Sequence, residues 1–263
     1  MPTVPSVRPA RTALITGPTS GIGNAFARRL AADGWDLVLV SRDAARLEKV
    51  AAGLREAYGR EVEVLPADLV DAAARARVAE RLASAGEPVD LLVNNAGFST
   101  PSRLLEADFA QEEAVLGVLV TAVLQLSHAA ARAMVARGRG GIVNVSSVAG
   151  FFPRGTYAAA KAWVTSFSRS LAQEVAGSGV RVVATCPGFT RTEFHSRGGF
   201  DLAGIPGVLW LDADDVVDDA LRALAAGRVV TIPGVPWKAA VAAGRFLPVA
   251  PILRATRNVG RKK

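Results

Sequence analysis

Short apolar runs alternate along this chain with longer stretches whose apolar residues recur every three to four positions. The runs lie at residues 13–16, 36–40, 62–65, 91–94, 142–145, 180–185 and 229–232. The periodic stretches lie near 21–33, 43–58, 71–85, 107–137, 157–177 and 212–226. Leu37-Val38-Leu39-Val40 is apolar at every position, which suits a strand covered on both faces. Strict strand–helix alternation predicts one parallel sheet with helices on both sides. The expected fold class is therefore α/β, a single doubly wound parallel sheet of Rossmann type. One domain is expected over residues 11–236, with a flexible N-terminus at 1–10 and a separate tail at 237–263.

The first strand runs into Thr16-Gly17-Pro18-Thr19-Ser20-Gly21-Ile22-Gly23, which opens a helix. Gly17 suits the tight turn leaving the strand, Gly21 lets backbone approach a pyrophosphate, and Gly23 permits close helix–strand packing. The helix N-terminus offers unpaired N–H groups and a positive dipole end, and Thr19 and Ser20 add hydroxyls. The spacing is G-x-x-x-G-x-G rather than G-x-G-x-x-G, but its place after the first strand points to a dinucleotide. At the end of the second strand stand Ser41 and Arg42. Ser41 occupies the place where a carboxylate would accept from the ribose 2′-hydroxyl of NAD. Arg42 offers a planar fork to a 2′-phosphate, which favours NADP(H). Asp43 is expected to cap the next helix.

Four later segments give the pattern its specificity. They are Asn94-Asn95-Ala96-Gly97, Ser146-Ser147, Tyr157-Ala158-Ala159-Ala160-Lys161, and Pro187-Gly188-Phe189-Thr190-Arg191-Thr192. In this order the chain resembles the short-chain dehydrogenase/reductase family from Arg11 to about Gly234. The resemblance implies an NADP-dependent oxidoreductase acting on a carbonyl or alcohol. It implies that Tyr157 is the general acid, that Ser147 donates to the substrate oxygen, and that Lys161 bonds the nicotinamide ribose. A free tyrosine titrates near about 10. Lys161 lies one helical turn on, on the same face, and its ammonium is expected to lower the Tyr157 pKa. The implied cofactor contacts are Gly17, Thr19, Ser20, Gly21, Ile22, Gly23, Arg42, Asp68, Leu69, Asn95, Ala96, Gly97, Tyr157, Lys161, Pro187, Gly188, Thr190 and Thr192. Asn95 would support the adenosine side, Asp68 and Leu69 the adenine, and Thr190 and Thr192 the carboxamide. Asp68 reads equally well as a turn residue.

Two positions depart from the family. Leu119 stands where an Asn usually holds a water of the proton relay. Ser147 and Tyr157 are ten residues apart where thirteen is common, so Ser146 rivals Ser147 as the group that polarises the substrate. A non-catalytic NADP-binding sensor or scaffold is the competing reading. A methyltransferase on the same fold would explain the glycines but not Tyr157 with Lys161.

Residues 191–211 lose regularity, and their glycines could hinge a lid. Phe194, Phe200, Leu202, Ile205, Val208, Leu209 and Trp210 would line it, which suggests an apolar substrate, fatty-acyl-like or steroid-like by analogy. His195 reads as lid surface. Dimers or tetramers through the helices near 107–137 and 157–177 are implied by the resemblance.

The net charge of +7 is unevenly placed. Seven of the 31 basic residues lie from Lys238 to Lys263, where there is no acid, so residues 1–237 hold 24 basic and 24 acidic groups. A neutral body argues against nucleic acid. The tail mixes apolar and basic residues, broken at Pro248 and Pro251, and could lie on an anionic membrane surface. A solubilising end and a subunit-packing arm are its other readings. Cys186 is the one cysteine and His128 and His195 the two histidines, so neither a disulfide nor a metal site is expected. No apolar run of 18 residues and no signal-like start are seen, and a cytoplasmic location is the default.

Overall fold

The computed structural model describes residues 11–100, 104–152, 155–194 and 204–244. The expected N-terminus, Phe200, Leu202, His195 and the tail beyond Gly244 lie outside the described residues.

Seven parallel strands form one sheet in the order β3-β2-β1-β4-β5-β6-β7. They are β1 (Thr12–Thr16), β2 (Asp36–Ser41), β3 (Val62–Pro66), β4 (Leu91–Asn94), β5 (Gly140–Val145), β6 (Val180–Thr185) and β7 (Val230–Thr231). Both sheet faces are buried, as the unbroken apolar runs require. Ala13, Ile15, Leu37 and Leu39 face one core, under α1 (Gly21–Ala32), α2 (Ala44–Tyr58) and α7 (Ala213–Ala225). Leu14, Val38, Val40 and Ile142 face the other, under α3 (Ala72–Ala83), α5 (Val123–Arg137) and α6 (Gly155–Glu174). The chain order reverses between β1 and β4. Such a switch point opens a crevice at the carboxyl ends of the strands.

Helix starts follow the caps that the sequence offers. Asp43 accepts from the Arg46 N–H and Asp71 from the Ala74 N–H, each satisfying an orphan donor of the first turn. The long apolar stretch near 107–137 is not one α-helix. It comprises α4 (Phe109–Leu116), a π-helical segment (Gly117–Ala122) and α5. By length and composition, Phe109–Arg137 could cross a membrane, against the expectation from uninterrupted runs. Half of its most apolar window is buried within the protein, however, against the sheet and its neighbouring helices. A further helix, α8 (Val235–Gly244), buries Val241 and begins where the tail was expected to separate.

Beneath the helices a buried polar ladder crosses the sheet. Asn94 donates to Ser127 (3.0 Å) and to Asn144 (2.8 Å), and Asn144 donates to Ser168 (2.9 Å). All four residues are buried, so the ladder fixes β4 and β5 against α5 and α6 where apolar packing alone would tolerate slip.

Candidate active site

The phosphate-type turn is held by cross-stitching between β1 and β4. Buried Thr16 accepts through Oγ1 from the N–H groups of Asn95 and Ala96, both at 3.0 Å. The Asn95 amide donates back to the carbonyls of Thr16 and Gly17, also at 3.0 Å. Gly17 adopts φ +68°, and Gly21 adopts φ +55° with Thr192 against its open side. A Cβ on Gly23 would lie 2.2 Å from the Gly17 carbonyl oxygen. Any side chain there would push the helix off the turn. The first turn of α1 carries no acid, so its N–H groups face the crevice without a competing anion. The turn's shape and charge fit a pyrophosphate.

Arg42 is exposed and forms no hydrogen bond or ion pair among the described residues. Its neighbour Arg46 pairs with Glu193 at 3.0 Å. Asp68 makes the turn that was its alternative reading, accepting from the Val70 N–H at 3.0 Å. Leu69 buries its side chain in the core and gives its carbonyl to Arg75.

The end of β5 gathers the reactive side chains. Ser147 caps a short 3-10 turn (Val148–Phe151), accepting from the Ala149 N–H at 3.1 Å. Its hydroxyl donates to the Pro187 carbonyl at 3.5 Å and lies close enough to the Tyr157 phenol to favour the phenolate. Ser146 is turned elsewhere: it is buried and bonds the Lys161 carbonyl (2.7 Å) and the Thr165 hydroxyl (2.8 Å). Lys161 is 5% exposed. Its Nζ donates to the Val145 carbonyl at 2.7 Å and lies 5.7 Å from the centre of the Tyr157 ring.

Electrostatics differ from the sequence expectation in one respect. Burial pushes the Tyr157 phenol up to about 12, and the neighbouring Ser147 hydroxyl only partly opposes this. Burial also brings Lys161 down to about 8. Desolvation, not the neighbouring ammonium, dominates the tyrosine. Cys186 is fully buried and its thiol is likewise pushed up by burial.

Leu119 is fully enclosed in the π-helical segment, packed with Val115 and Ala160 and against Tyr157. A Cβ on Gly97 would lie 2.8 Å from the Leu119 methyl and 3.9 Å from Lys161 Nζ. Leu119 thus closes the space behind the lysine with hydrocarbon.

On the opposite wall, Thr190 is buried and bridges Leu211, while the Leu211 N–H donates to the Phe189 carbonyl at 2.8 Å. These bonds clip the two ends of the irregular segment together. Phe194 leans on Tyr157 at 5.7 Å, and Thr192 seats on Gly21. Leu209, Trp210 and Ile205 are half-buried, but Val208 is 73% exposed and faces outward.

Two residues here escaped sequence reasoning. Trp237 packs edge-on against Phe189 at 5.4 Å, and its indole fills the room of the side chain that Gly188 lacks. Glu112 is buried on α4 and accepts from the Thr100 hydroxyl at 2.6 Å. Neither had a local signal beyond an apolar-rich tail and a helical Glu; both depend on tertiary contacts.

Comparison with known proteins gives a consistent result. Residues 11–198 match the family model described as short chain dehydrogenase. Galactitol 2-dehydrogenase (L-tagatose-forming) of Cereibacter sphaeroides is 41% identical over 186 residues, covering 69% of this chain and 72% of that protein. A short-chain dehydrogenase from Sphingobium yanoikuyae, solved in complex with NADPH, superposes with TM-score 0.81 at 38% identity. That match covers 90% of this chain and 94% of the other. The bulky-bulky ketone specific alcohol dehydrogenase of Comamonas testosteroni superposes with TM-score 0.78 at 32% identity, covering 91% and 94%.

Proposed function

The chain belongs to the short-chain dehydrogenase/reductase family, and from that membership we propose that it is an NADP(H)-dependent oxidoreductase interconverting a carbonyl and an alcohol through Ser147, Tyr157 and Lys161. The observation that carries this reading is their convergence at the end of β5, with the Ser147 hydroxyl beside the Tyr157 phenol and buried Lys161 beneath its ring. When bound, NADPH supplies the hydride to the carbonyl carbon, and NADP+ accepts it in the reverse direction.

The residues of the chain then divide the remaining work. Gly17, Thr19, Ser20, Gly21, Ile22 and Gly23 would hold the pyrophosphate at the α1 N-terminus, and Arg42 would pair with the 2′-phosphate. Asp68 and Leu69 would meet the adenine. Asn95 fixes the turn, and with Ala96 and Gly97 it would floor the ribose. Pro187, Gly188, Thr190 and Thr192 would seat the nicotinamide end. Ser147 donates to the substrate oxygen as charge develops on it. Tyr157, with its proton held firmly near neutral pH, donates that proton in reduction. The Lys161 ammonium bonds the ribose and stabilises the phenolate left behind. Leu119 favours the competing sensor reading, since it denies the lysine a water path on that side.

For substrate we favour a bulky apolar ketone or alcohol. Phe194 against Tyr157 and half-buried Leu209 and Trp210 line the approach, and the Comamonas testosteroni relative's named preference is of this kind. Steroid-like and fatty-acyl-like compounds belong to this class by analogy. We also favour a homodimer or homotetramer. Phe109, Leu116, Leu124 and Val135 are exposed apolar residues spaced along Phe109–Arg137, and Trp163 stacks on Phe167 in α6.

Four outcomes are expected. Tyr157→Phe should cut turnover of a panel of bulky ketones and alcohols by about 10²-fold or more, with the NADPH dissociation constant nearly unchanged. Absence of turnover in wild type and variant alike, with NADPH still bound, would establish the sensor; turnover confined to small hydrophilic substrates would refute the apolar reading. The kcat/KM for reduction should fall as pH rises through about 8, where the Lys161 ammonium is lost, and Lys161→Arg should move that fall to higher pH; a flat profile to pH 10 refutes it. Arg42→Ala should weaken NADPH binding by about tenfold or more, as loss of a charged hydrogen bond implies, and leave NADH binding unchanged; an unaltered NADPH constant removes the 2′-phosphate contact. In sedimentation velocity the protein should run as an oligomer that Leu124→Lys dissociates; a monomeric wild type overturns the role of those exposed residues.

A further inference from the structure

Ser146 makes no contact with the proposed substrate position, yet its hydroxyl is buried and fully engaged. We propose that Ser146 is a positioning residue that acts on the reaction through Lys161, by fixing the lysine's peptide carbonyl and thereby where its ammonium lies. This rests on the role given to Lys161 above.

Lys161 is gripped at both ends by consecutive residues of β5's end. Its Nζ donates to the Val145 carbonyl at 2.7 Å. Its own carbonyl accepts from the Ser146 hydroxyl at 2.7 Å, and the Thr165 hydroxyl lies 3.1 Å away as an alternative donor. The next residue, Ser147, lies beside the Tyr157 phenol. Two successive positions thus set the ammonium and the lysine backbone, next to the hydroxyl that faces the phenol. The lysine peptide is braced from the far side as well. A Cβ on Gly150 would lie 2.7 Å from the Ala162 nitrogen and 2.8 Å from the Lys161 carbonyl carbon, so the 3-10 turn packs directly on this peptide.

The hydrogens can run in one direction without conflict. The Cys186 thiol, 3.6 Å from the Thr165 hydroxyl, can donate to it. Thr165 can donate to Ser146 at 2.8 Å, and Ser146 to the Lys161 carbonyl. A lysine side chain free to turn loses rotamer entropy on being ordered; a clamp at both ends orders it in advance. Misplacement of a reacting group by about 1 Å can cost about 10²-fold. Removing the Ser146 hydroxyl, by contrast, leaves the Lys161 carbonyl with Thr165 as a partner, so the fold loses little.

The titratable groups around Lys161 are Tyr157 on its own helix and Cys186 at the end of β6. Among the described residues Lys161 has no carboxylate in ion-pair reach. Burial lowers the pKa of its ammonium, Cys186 partly opposes this, and the Val145 carbonyl is the hydrogen-bond partner of the charged form.

The test uses the full chain with ¹³Cε-labelled lysine, of which it has five, and follows each titration by NMR without cofactor. Lys161 should titrate near 8 in the wild type. Ser146→Ala should lower that value by about half a unit or more, because an ammonium drifting from its carbonyl partner is less favoured. The same variant should lose about tenfold in kcat with little change in thermal midpoint. Ser146→Thr, which keeps the hydroxyl, should restore both readouts, and Ser146→Cys should fall between. An unshifted Lys161 titration and unchanged kcat in Ser146→Ala, with Tyr157→Phe inactive, overturns the clamp and leaves the reaction standing. A shifted titration in a protein without turnover supports the clamp and removes the reaction. Should Ser146→Ala not fold, the Ser146→Cys titration decides by the same criterion.

Discussion

Every strand of the sheet points the same way, and the rest of the structure depends on that. Parallel strands deliver all their exits to one edge. The turn after β1, the Asn95 segment after β4, Ser147 after β5 and Pro187 after β6 therefore meet without further arrangement. The reversal of strand order between β1 and β4 parts the neighbouring helices there. What remains for individual side chains is fine placement over a few ångströms.

That placement is made by hydrogen bonds between adjacent strand ends. Thr16 and Asn95 exchange bonds across β1 and β4. Asn94 and Asn144 tie β4 to β5 deeper in the core. Val145 and Ser146 fasten β5 to α6. These buried polar contacts are directional, so each tolerates one register. Apolar packing supplies the bulk of the driving force but would accept several. The glycines at 23, 97 and 188 complete the scheme by letting backbone or ring approach where a Cβ would collide.

The fold was readable in the sequence because a strand buried on both faces leaves an uninterrupted apolar run. The phosphate turn was readable because only glycine serves those contacts. Other features depended on distance in space. Ser146 and Ser147 are adjacent hydroxyls, and nothing local says which one faces Tyr157; the helix packed on β5 decides it. Lys161 and Tyr157 four residues apart suggested that charge would lower the phenol's pKa. Burial of both reversed the direction, and burial is a property of the assembled site. The break of the 107–137 stretch by a π-helical segment left no mark in its apolar periodicity. Val208 was grouped with the lid lining by composition alone, although its side chain points outward.

Trp237 and Gly188 stand on different elements, yet one supplies the volume that the other omits. The indole also donates to the Leu209 carbonyl at 3.0 Å. The beginning of the C-terminal region is thus a stopper seated in the turn after β6. Residues 188 and 237 form a single unit of variation. A larger side chain at one is tolerable only with a smaller ring at the other, and their substitutions should couple energetically as direct neighbours do.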